Sequence, residues 1–555
     1  MRHFVKRSDE GKPSTSTNLL TNYILSIMKK LFLSTFALFA SLAIFGANDG
    51  RSFKRGFGEN TLYYVEDLKA LLPGNSWYYD WGTNPDSRVA DYIGSDKDDK
   101  GIEFIPMAWN GLDENKLRAY YAAHPNDKYL LGFNEPNFPD QANMLPSEAA
   151  EKWRSVEAFA EELGLKLVAP AMNYAGSPLK DGKVWGPTEW FDAFIAAYKE
   201  KYGREPHYDY TAIHAYMPNA AGTLSFVNTF AEKYGKKVWL TEFCSWEANE
   251  TPESQMKSMI EKVKQLELSD NVYRYAWFKA RNANKTPYYN LLYYPTSTIA
   301  KGTLTDLGFA YVHMSTFNKE KYYDLNEAIP SNGFIDCNLS NIRQSADPRA
   351  LDETELYLDA NNLYATYQVN VPEDGTYKLV IRSARAADDL TSRIHIIDQD
   401  GKYLQKRQDI EATTGWNNYV AKTFDVTLKA GKQTIKIQKA SFAPMAFSLI
   451  KLVKELDAND PDLKTATGEH IDKPDTGGDD DPNVPVTPGE NESFDKEVVV
   501  SDEAGTFDDN NKYYAIYLDG TTKDAHISAD RFVNLGDNGG SHNSHPWGET
   551  LSHRE

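Results

Sequence analysis

The sequence alternates short apolar runs with amphipathic helical stretches between Lys54 and Phe317, and this alternation constrains the fold more than any other feature. It is typical of a parallel sheet covered by helices, and Ser147 and Thr251 are candidate N-caps of two of the helices. The eight strand candidates begin near Arg55, Ser76, Glu103, Tyr129, Lys166, Thr211, Val238 and Tyr273. Eight such units in about 260 residues is the usual content of a (β/α)8 barrel. We therefore expect an α/β fold, a TIM barrel, over residues 48–325.

Two of these strand candidates deliver a glutamate to their carboxyl ends. Leu131-Gly132-Phe133-Asn134-Glu135-Pro136 places Glu135 after the fourth strand, and Val238-Trp239-Leu240-Thr241-Glu242-Phe243 places Glu242 at the end of the seventh. Because active sites of such barrels lie at the carboxyl ends of the strands, both side chains are expected at one mouth. A protonated and an ionised carboxyl group, about 5 to 5.5 Å apart, are what glycosidic bond cleavage with retention requires. The pair therefore predicts a catalytic site.

The residues beside Glu135 indicate how the two roles divide. Asn134 could hydrogen-bond the 2-hydroxyl of a sugar, and Pro136 fixes the turn that aims the acid. We therefore expect Glu135 to be the general acid/base and Glu242 the nucleophile, with environments that hold their pKa values apart. The competing interpretation of each glutamate alone is a solvated loop charge or a helix cap.

Further polar and aromatic side chains end strand candidates. His214 could bond a sugar hydroxyl or orient Glu242, and its alternative is a satisfied core histidine. The candidate sugar-stacking residues are Trp81, Trp109, Tyr216 and Trp277. Because aromatic residues in barrels also fill the core, each of them has that second interpretation.

Composition narrows the class of partner. The 555-residue chain carries a formal net charge of -20, and 13% of its residues are aromatic. Such a charge repels nucleic acid, because affinity for phosphates depends on Lys and Arg. A neutral polysaccharide whose rings stack on aromatic faces is the expected partner. The two cysteines, Cys244 and Cys337, establish no disulfide framework and are expected to be small buried hydrophobes.

The chain after Ser331 has a different texture. Short alternating strands and turns such as Pro372-Glu373-Asp374-Gly375 predict an antiparallel β-sandwich over residues 326–456. Residues 457–492 are dense in Asp, Pro and Gly, which predicts a solvated linker. Residues 493–555, with a strand candidate at Tyr513 to Leu518, are too short for a complete sandwich and predict a truncated third module of β type.

The N-terminal region has the features of an export signal. Met28-Lys29-Lys30 precedes an apolar run from Leu31 to Phe45, and Gly46 or Ala47 is a candidate cleavage point. Residues 1–47 are therefore interpreted as an upstream extension followed by a signal peptide. We expect a monomer that is secreted, periplasmic or on the cell surface, without stable membrane insertion. A retained N-terminal anchor is the alternative.

Several segments together resemble glycoside hydrolase family 128, the Asl1-like catalytic domain of the Asn-Glu-Pro clan. They are Lys54-Arg55-Gly56, Ser76 to Trp81, Phe104 to Trp109, Leu131 to Asn137, Ala142-Asn143-Met144, Val238 to Phe243 and Arg274 to Phe278. The resemblance implies a retaining (β/α)8 glucanase that cleaves β-1,3-glucan by double displacement, and endo action is expected. It matches Glu135 to the family's acid/base and Glu242 to its nucleophile, and it implies neither a metal nor a cofactor.

The predicted sandwich is similar to carbohydrate-binding modules of family 6. Thr414 to Tyr419 and Leu428 to Ile435 are similar to that family's late segment, which implies that Trp416 stacks on sugar. The chain departs from the family at Ser441-Phe442-Ala443-Pro444, where an Asn is usual. A purely structural sandwich therefore remains the alternative. For the whole chain, the alternatives are the same chemistry on mixed-linkage glucan or mannan, and a non-catalytic glycan-binding surface protein.

Overall fold

A computed structural model describes residues 51–60, 62–94, 101–282, 288–386 and 391–469, together with two short strands at 513–514 and 533–534. The predicted signal peptide lies outside the described residues, as do most of the predicted linker and third module. Residues from Val484 onward form a separate unit. The described part of that unit is one antiparallel pair, Tyr513–Tyr514 with Val533–Asn534.

The first part of the chain folds into eight parallel strands. They are β1 (Ser52–Gly58), β2 (Asn75–Tyr79), β3 (Glu103–Phe104), β4 (Tyr129–Leu131), β5 (Lys166–Met172), β6 (Tyr210–Ala215), β7 (Val238–Phe243) and β8 (Val272–Phe278). Their order in the sheet is β3-β2-β1-β8-β7-β6-β5-β4. The ring closes between β3 and β4, where Met107 and Leu131 form a parallel bridge. The predicted TIM barrel is therefore confirmed.

Helices cover the outside of this sheet. They are α1 (Val65–Leu71), α2 (Glu114–Ala123), α3 (Pro146–Leu163), α4 (Pro187–Tyr202), α5 (Ala220–Tyr234), α6 (Pro252–Leu268) and α7 (Asp306–His313). A 3-10 helix, Ser87–Tyr92, stands between β2 and β3. Of the helices in the described residues, none is both long and apolar enough to cross a bilayer.

Side chains fill the interior of the barrel. Large aromatic residues such as Trp77 and Trp239 are wholly buried there, and their rings meet edge to face at 5.0 Å. Arg274 lies among them and pairs with Glu103 at 2.6 Å. Because the interior is packed rather than open, a substrate can reach the strand ends only at the mouth.

A β-sandwich follows the barrel, as predicted. Its first sheet contains β10 (Ala328–Pro330), β12 (Asn341–Gln344), β13 (Thr354–Leu358), β15 (Gly375–Arg385), β18 (Gly415–Leu428), β20 (Met445–Val453) and β21 (Ala466–Thr467). Its second sheet contains β9 (Tyr323–Asp324), β11 (Asp336–Asn338), β14 (Tyr364–Val371), β16 (Ser392–Asp398), β17 (Tyr403–Ile410) and β19 (Gly431–Lys439). The long strands pair antiparallel, and β15 and β20 are buried along most of their length, so the two sheets enclose an apolar core.

Both predicted edges of the sandwich need correction. Strand β9, assigned to the barrel from sequence, pairs with β14 of the sandwich. Residues 457–469, assigned to the linker, fold onto the sandwich: β21 pairs with β18, and buried Arg382 donates to the carbonyl oxygens of Asp462 and Lys464 at 3.0 and 2.6 Å. The acidic composition of this stretch misled the prediction because Asp462 is paired with Arg349 and Lys451.

The sandwich is attached to the barrel through the C-terminal ends of α6 and α7. Lys264 of α6 pairs with Asp336 and donates to the carbonyl oxygen of Cys337 at 2.7 Å. After α7, Asn332 donates to the carbonyl oxygen of His313 at 2.8 Å. Because helices of this fold run antiparallel to the strands, these contacts lie toward the end of the barrel that is remote from the mouth. Cys244 and Cys337 are buried and unpaired with each other, as expected.

Candidate active site

Glu135 and Glu242 meet at the mouth of the barrel. Glu135 follows β4, and Glu242 is the penultimate residue of β7. One carboxylate oxygen of each and one ring nitrogen of His214 lie within 4.8 Å of one another. The fold thus brings together two acidic groups that are far apart in the chain.

Glu135 is held by its backbone as well as by its side chain. Its φ of 40° lies in the left-handed region, which is costly for a residue with a Cβ atom and is found where surrounding structure enforces it. Its amide donates to the carbonyl oxygen of Ala171 at 3.0 Å, which ties the turn after β4 to β5. Asn173 donates to Oε1 of Glu135 at 2.8 Å. The carboxyl group is therefore aimed into the mouth with only 7% of the residue exposed.

Glu242 accepts hydrogen bonds from three neutral donors. The Trp81 indole donates to Oε1 at 2.8 Å, and the Tyr79 hydroxyl reaches the same oxygen at 3.3 Å. The Tyr216 hydroxyl donates to Oε2. Trp81, like Glu135, has a left-handed φ, of 60°. Donors aimed at a carboxylate stabilise its ionised form, which is the form a nucleophile needs.

His214, at the end of β6, lies between the two carboxyl groups. Its Nδ1 atom is 2.7 Å from Oε1 of Glu135 and 3.3 Å from Oε2 of Glu242. The side chain is fully buried, and within the described residues its Nε2 atom has no hydrogen-bond partner. Burial opposes the charged imidazole, but Glu242 and Glu135 outweigh it and raise the pKa of His214. The structure thus places His214 where it orients the carboxyl groups rather than where it faces the cleft.

The two carboxyl groups differ in acidity. Burial acts to raise the pKa of Glu135, but the charge of His214 and the hydrogen bonds from His214 and Asn173 outweigh it, so the pKa lies below its usual value. For Glu242, burial is the largest effect and raises the pKa, and the charge of Glu135 adds to it against His214, Tyr216 and Trp81. The pKa of Glu135 is therefore shifted down and that of Glu242 up, and His214 acts on both carboxyl groups.

A cleft of about 1000 Å³ opens above these groups. Its lining includes both glutamates together with Asn134, Trp81, Trp109 and Tyr216, all of which were singled out from the sequence. Asn134 donates to Gln141 at 3.1 Å, while its Oδ1 atom is buried without a partner among the described residues. The Asn134 amide therefore keeps one acceptor that none of the described residues occupies.

Trp277 is a correction to the sequence analysis. It is fully buried, packs edge to face on Phe243 at 5.0 Å and donates to the carbonyl oxygen of Tyr289 at 2.7 Å. Phe278, the next residue, lines the cleft instead. Successive residues of a strand point to opposite faces, and Trp277 points outward toward Tyr311 of α7.

Several cleft residues escaped the sequence analysis. Asn173 follows β5 as Glu135 follows β4, so the same reasoning about strand ends could have found it. Trp246 is 49% exposed and stacks on Tyr289 with ring centroids 5.3 Å apart. Tyr174 is 59% exposed and packs against Phe226. Trp246 and Tyr174 lie on loops beyond the strands, where apolar periodicity gives no signal.

Trp416 lies on the sandwich, away from the cleft-lining residues. Its half-buried ring meets Tyr357 at 5.5 Å, and the Arg343 guanidinium lies over the Tyr357 ring at 3.9 Å. Arg343 in turn pairs with Glu355 at 2.6 Å. These contacts fix the indole in place, and a role of Trp416 in sugar binding stays a prediction.

Glu135, His214 and Glu242 also form the one cluster in the described part of the chain that has the composition of a metal site. The separation of 2.7 Å between Nδ1 of His214 and Oε1 of Glu135 is that of a direct hydrogen bond. The imidazole nitrogen thus faces the carboxylate itself, and the trio is arranged for sharing a proton.

Comparison with known proteins agrees with this geometry. Residues 60–311 match the family described as glycosyl hydrolase catalytic core, and residues 340–451 match the carbohydrate binding module of family 6. No curated protein matches the chain. A family 128 (subgroup II) endo-β-1,3-glucanase from Pseudomonas viridiflava is 38% identical, over 47% of this chain and 98% of that protein, with a TM-score of 0.41. The chain belongs to glycoside hydrolase family 128.

The identity to the Pseudomonas protein extends over almost its whole length. A family 128 (subgroup II) endo-β-1,3-glucanase from Sorangium cellulosum is 32% identical, over 47% of this chain and 97% of that protein, with a TM-score of 0.39. A curdlan-specific exo-β-1,3-glucanase of subgroup III from Blastomyces gilchristii is 27% identical, over 48% and 99%, with a TM-score of 0.35. The barrel is a glycoside hydrolase domain, and the match to the carbohydrate binding module of family 6 begins after it, at residue 340.

Proposed function

We propose that this family 128 enzyme is a retaining endo-β-1,3-glucanase. Glu135 protonates the leaving glycosidic oxygen while Glu242 attacks the anomeric carbon and forms the glycosyl-enzyme. Glu135 then takes a proton from water, which attacks the same carbon and releases Glu242. Each step leaves the proton count balanced, because Glu135 regains in the second step the proton it gave in the first.

The approach of the two carboxyl groups is the observation that carries this proposal. Their nearest oxygens lie within 4.8 Å, which suits direct attack by one of them on the sugar. An inverting enzyme needs roughly 6.5 to 9.5 Å between its two carboxyl groups, because a water molecule must fit between the sugar and the general base. The short separation supports retention.

The hydrogen-bond partners support the division of roles. Glu242 has three neutral donors around it, which favour its ionised form. Glu135 shares a proton with His214 across 2.7 Å. When a glucan covers the mouth and excludes water, the charged pair loses solvation, and the proton moves from His214 to Glu135. The carboxylic acid is then formed beside the leaving oxygen.

The relatives and the cleft support the proposed substrate class. The Pseudomonas and Sorangium proteins, which share the higher identities, are both described as endo-β-1,3-glucanases. The exo-acting Blastomyces protein is more distant. A cleft of about 1000 Å³ with the exposed rings of Trp246 and Tyr174 on its lining has room for more than one sugar ring.

Digestion of a polysaccharide panel with sizing of the products tests the proposal. Purified protein is incubated with linear β-1,3-glucan, mixed-linkage glucan and mannan. We expect a mixture of laminari-oligosaccharides from the first substrate from the earliest times, with the β-configuration at the new reducing end by NMR. Release of glucose alone would contradict endo action, and α-anomers would contradict retention. Binding without release would contradict turnover itself.

We also propose that the protein is exported by the signal that begins at Met28 and that the sandwich keeps the barrel close to its polymer. A second sugar contact on the same molecule raises the effective concentration of substrate. The support is the basic and apolar pattern of residues 28–45 and the match of residues 340–451 to a carbohydrate binding module. Fractionation of cells and N-terminal sequencing of the exported form test the first statement.

A further inference from the structure

Helix α6 carries a stripe of buried polar side chains on an otherwise apolar face. Gln255, Ser258 and Lys262 are spaced three and four residues apart, so they lie on one side of the helix. Gln255 and Lys262 are wholly buried and Ser258 is 7% exposed. Burying a polar group costs free energy unless it has a hydrogen-bond partner, so the partners of these three side chains indicate their role.

Each member of the stripe holds backbone in the loops that follow β6 and β7. Gln255 clasps the peptide of Ser245, donating to its carbonyl oxygen at 2.9 Å and accepting from its amide at 3.0 Å. Ser258 donates to the carbonyl oxygen of Pro218 at 2.8 Å. Lys262 donates to the carbonyl oxygen of Met217 at 2.5 Å.

These two loops form one wall of the catalytic cleft. Tyr216, Met217, Pro218 and Trp246 all line the cleft. The loops are joined to each other, because the amide of Trp246 donates to the carbonyl oxygen of Tyr216 at 3.3 Å. The position of α6 is therefore transmitted to the surface that a substrate touches.

Lys262 is the most unusual member of the stripe, because an ammonium group is seldom buried without a carboxylate partner. Burial lowers its pKa to about 8, against the opposing effects of the Cys244 thiol, Glu250 and Glu261. It is therefore charged at neutral pH, and a charged donor holds a carbonyl oxygen more strongly than a neutral one. The charge of the ammonium group strengthens its hydrogen bond to Met217, although its burial removes the hydration of that charge.

We propose that Lys262, assisted by Ser258 and Gln255, is a positioning residue that sets substrate affinity by holding the Met217–Pro218 segment against the bound glycan. It touches neither the substrate nor the catalytic carboxyl groups and acts through the backbone of the cleft wall. The inference rests on the proposed function only for the choice of substrate.

The test compares Lys262→Met with Lys257→Met, which removes an exposed lysine from the same helix. Because the chemistry of Glu135 and Glu242 is untouched, we expect Lys262→Met to raise KM about 10-fold while kcat changes less than about 3-fold. Lys257→Met should keep both wild-type values. An unchanged KM in Lys262→Met, or a loss confined to kcat, would overturn the proposal.

A pH series separates positioning from general support of the fold. As pH rises through about 8, Lys262 loses its proton in the wild type, so KM should rise by about 3-fold between pH 7 and 9 as the bond to Met217 weakens. The KM of Lys262→Met should be flat over that range. A parallel rise in both proteins would contradict a role of this lysine.

Ser258→Ala keeps the inference testable if Lys262→Met does not fold. It removes one neutral hydrogen bond to Pro218, so a 2- to 4-fold rise in KM at constant kcat is expected, which corresponds to about 0.4 to 0.8 kcal/mol. An unchanged KM would count against the stripe. The variants are compared with the wild type on whichever glycan the wild type cleaves. If that glycan is not β-1,3-glucan, the proposed function is wrong, but the comparison of KM values still tests the role of Lys262.

Discussion

The buried charged groups at the mouth of the barrel and in the interior of the sandwich differ in how they are paired. In the sandwich, Arg382 and Asp347 are both fully buried and form a two-pronged pair with both distances at 2.9 Å. In the mouth, two buried carboxyl groups share one imidazole, and the rest of their hydrogen bonds come from neutral donors. The buried charges of Arg382 and Asp347 therefore balance each other in the sandwich, whereas the two carboxyl groups of the catalytic pair outnumber their one cationic partner.

Glu242→Gln should have the largest effect. Without a nucleophile no glycosyl-enzyme forms, so kcat/KM on β-1,3-glucan should fall on the order of 10⁵-fold. Binding of laminari-oligosaccharides should stay measurable by calorimetry, because the cleft walls are unchanged. Wild-type turnover by this variant would refute the assignment of the nucleophile.

Glu135→Gln should come next. General acid catalysis typically contributes about 10²- to 10⁴-fold, so turnover of polymer should fall by that factor. Aryl glycosides with good leaving groups need no protonation, so glycosyl-enzyme formation from them should be much less affected. Equal losses on both kinds of substrate would show that the roles of the two glutamates are assigned the wrong way round.

In the sandwich, Arg382→Met should cost stability and spare the chemistry. Breaking a buried pair leaves Asp347 unpaired, which costs about 3 to 5 kcal/mol in the free energy of unfolding. Arg393→Met, which breaks the exposed pair with Asp409, is the matched control and should cost less than about 1 kcal/mol. Denaturant melts and kcat per folded molecule are the measurements. A loss of kcat in folded Arg382→Met would contradict the prediction that this pair supports the fold and not the chemistry.

His214→Asn should shift the pH dependence of the enzyme. Removing the cation takes away the interaction that holds the pKa of Glu135 down, so this carboxyl group keeps its proton to higher pH. The alkaline limb of kcat, which reports the substrate complex in which Glu135 holds the proton, should therefore move to higher pH. His214 also lowers the pKa of Glu242, so the acid limb should move in the same direction. A profile that stays in place or moves to lower pH would mean that His214 is neutral in the active enzyme.

The sequence predicted those structural features that depend on a local pattern of residues. Apolar runs located every strand of the barrel, and Thr251 caps α6 as predicted, accepting from the amide of Ser254 at 3.1 Å. The other predicted cap was wrong: α3 begins at Pro146 with Leu145 as its N-cap, because proline favours the first helical position. The glutamates were found because strand ends of a barrel converge.

What the sequence could not show depends on partners remote in the chain. Trp277 and Phe278 are both apolar, and which of them faces the cleft depends on the pleat of β8 relative to its neighbours. Asp462 looked like part of a solvated linker because Arg349, more than a hundred residues away, gives no local sign of pairing with it. His214 could be placed on its strand, but its position between two carboxyl groups follows from the closure of the whole ring.

The attachment of the sandwich at the far ends of α6 and α7 changes what such a module can do. A module on a loose tether searches a sphere of polymer around its enzyme, with a reach that grows with the tether. Here Lys264 and Asn332 anchor it to helices of the barrel, and these contacts limit how far the two domains can separate. A sugar bound by the sandwich would therefore stay within a limited distance of the catalytic cleft.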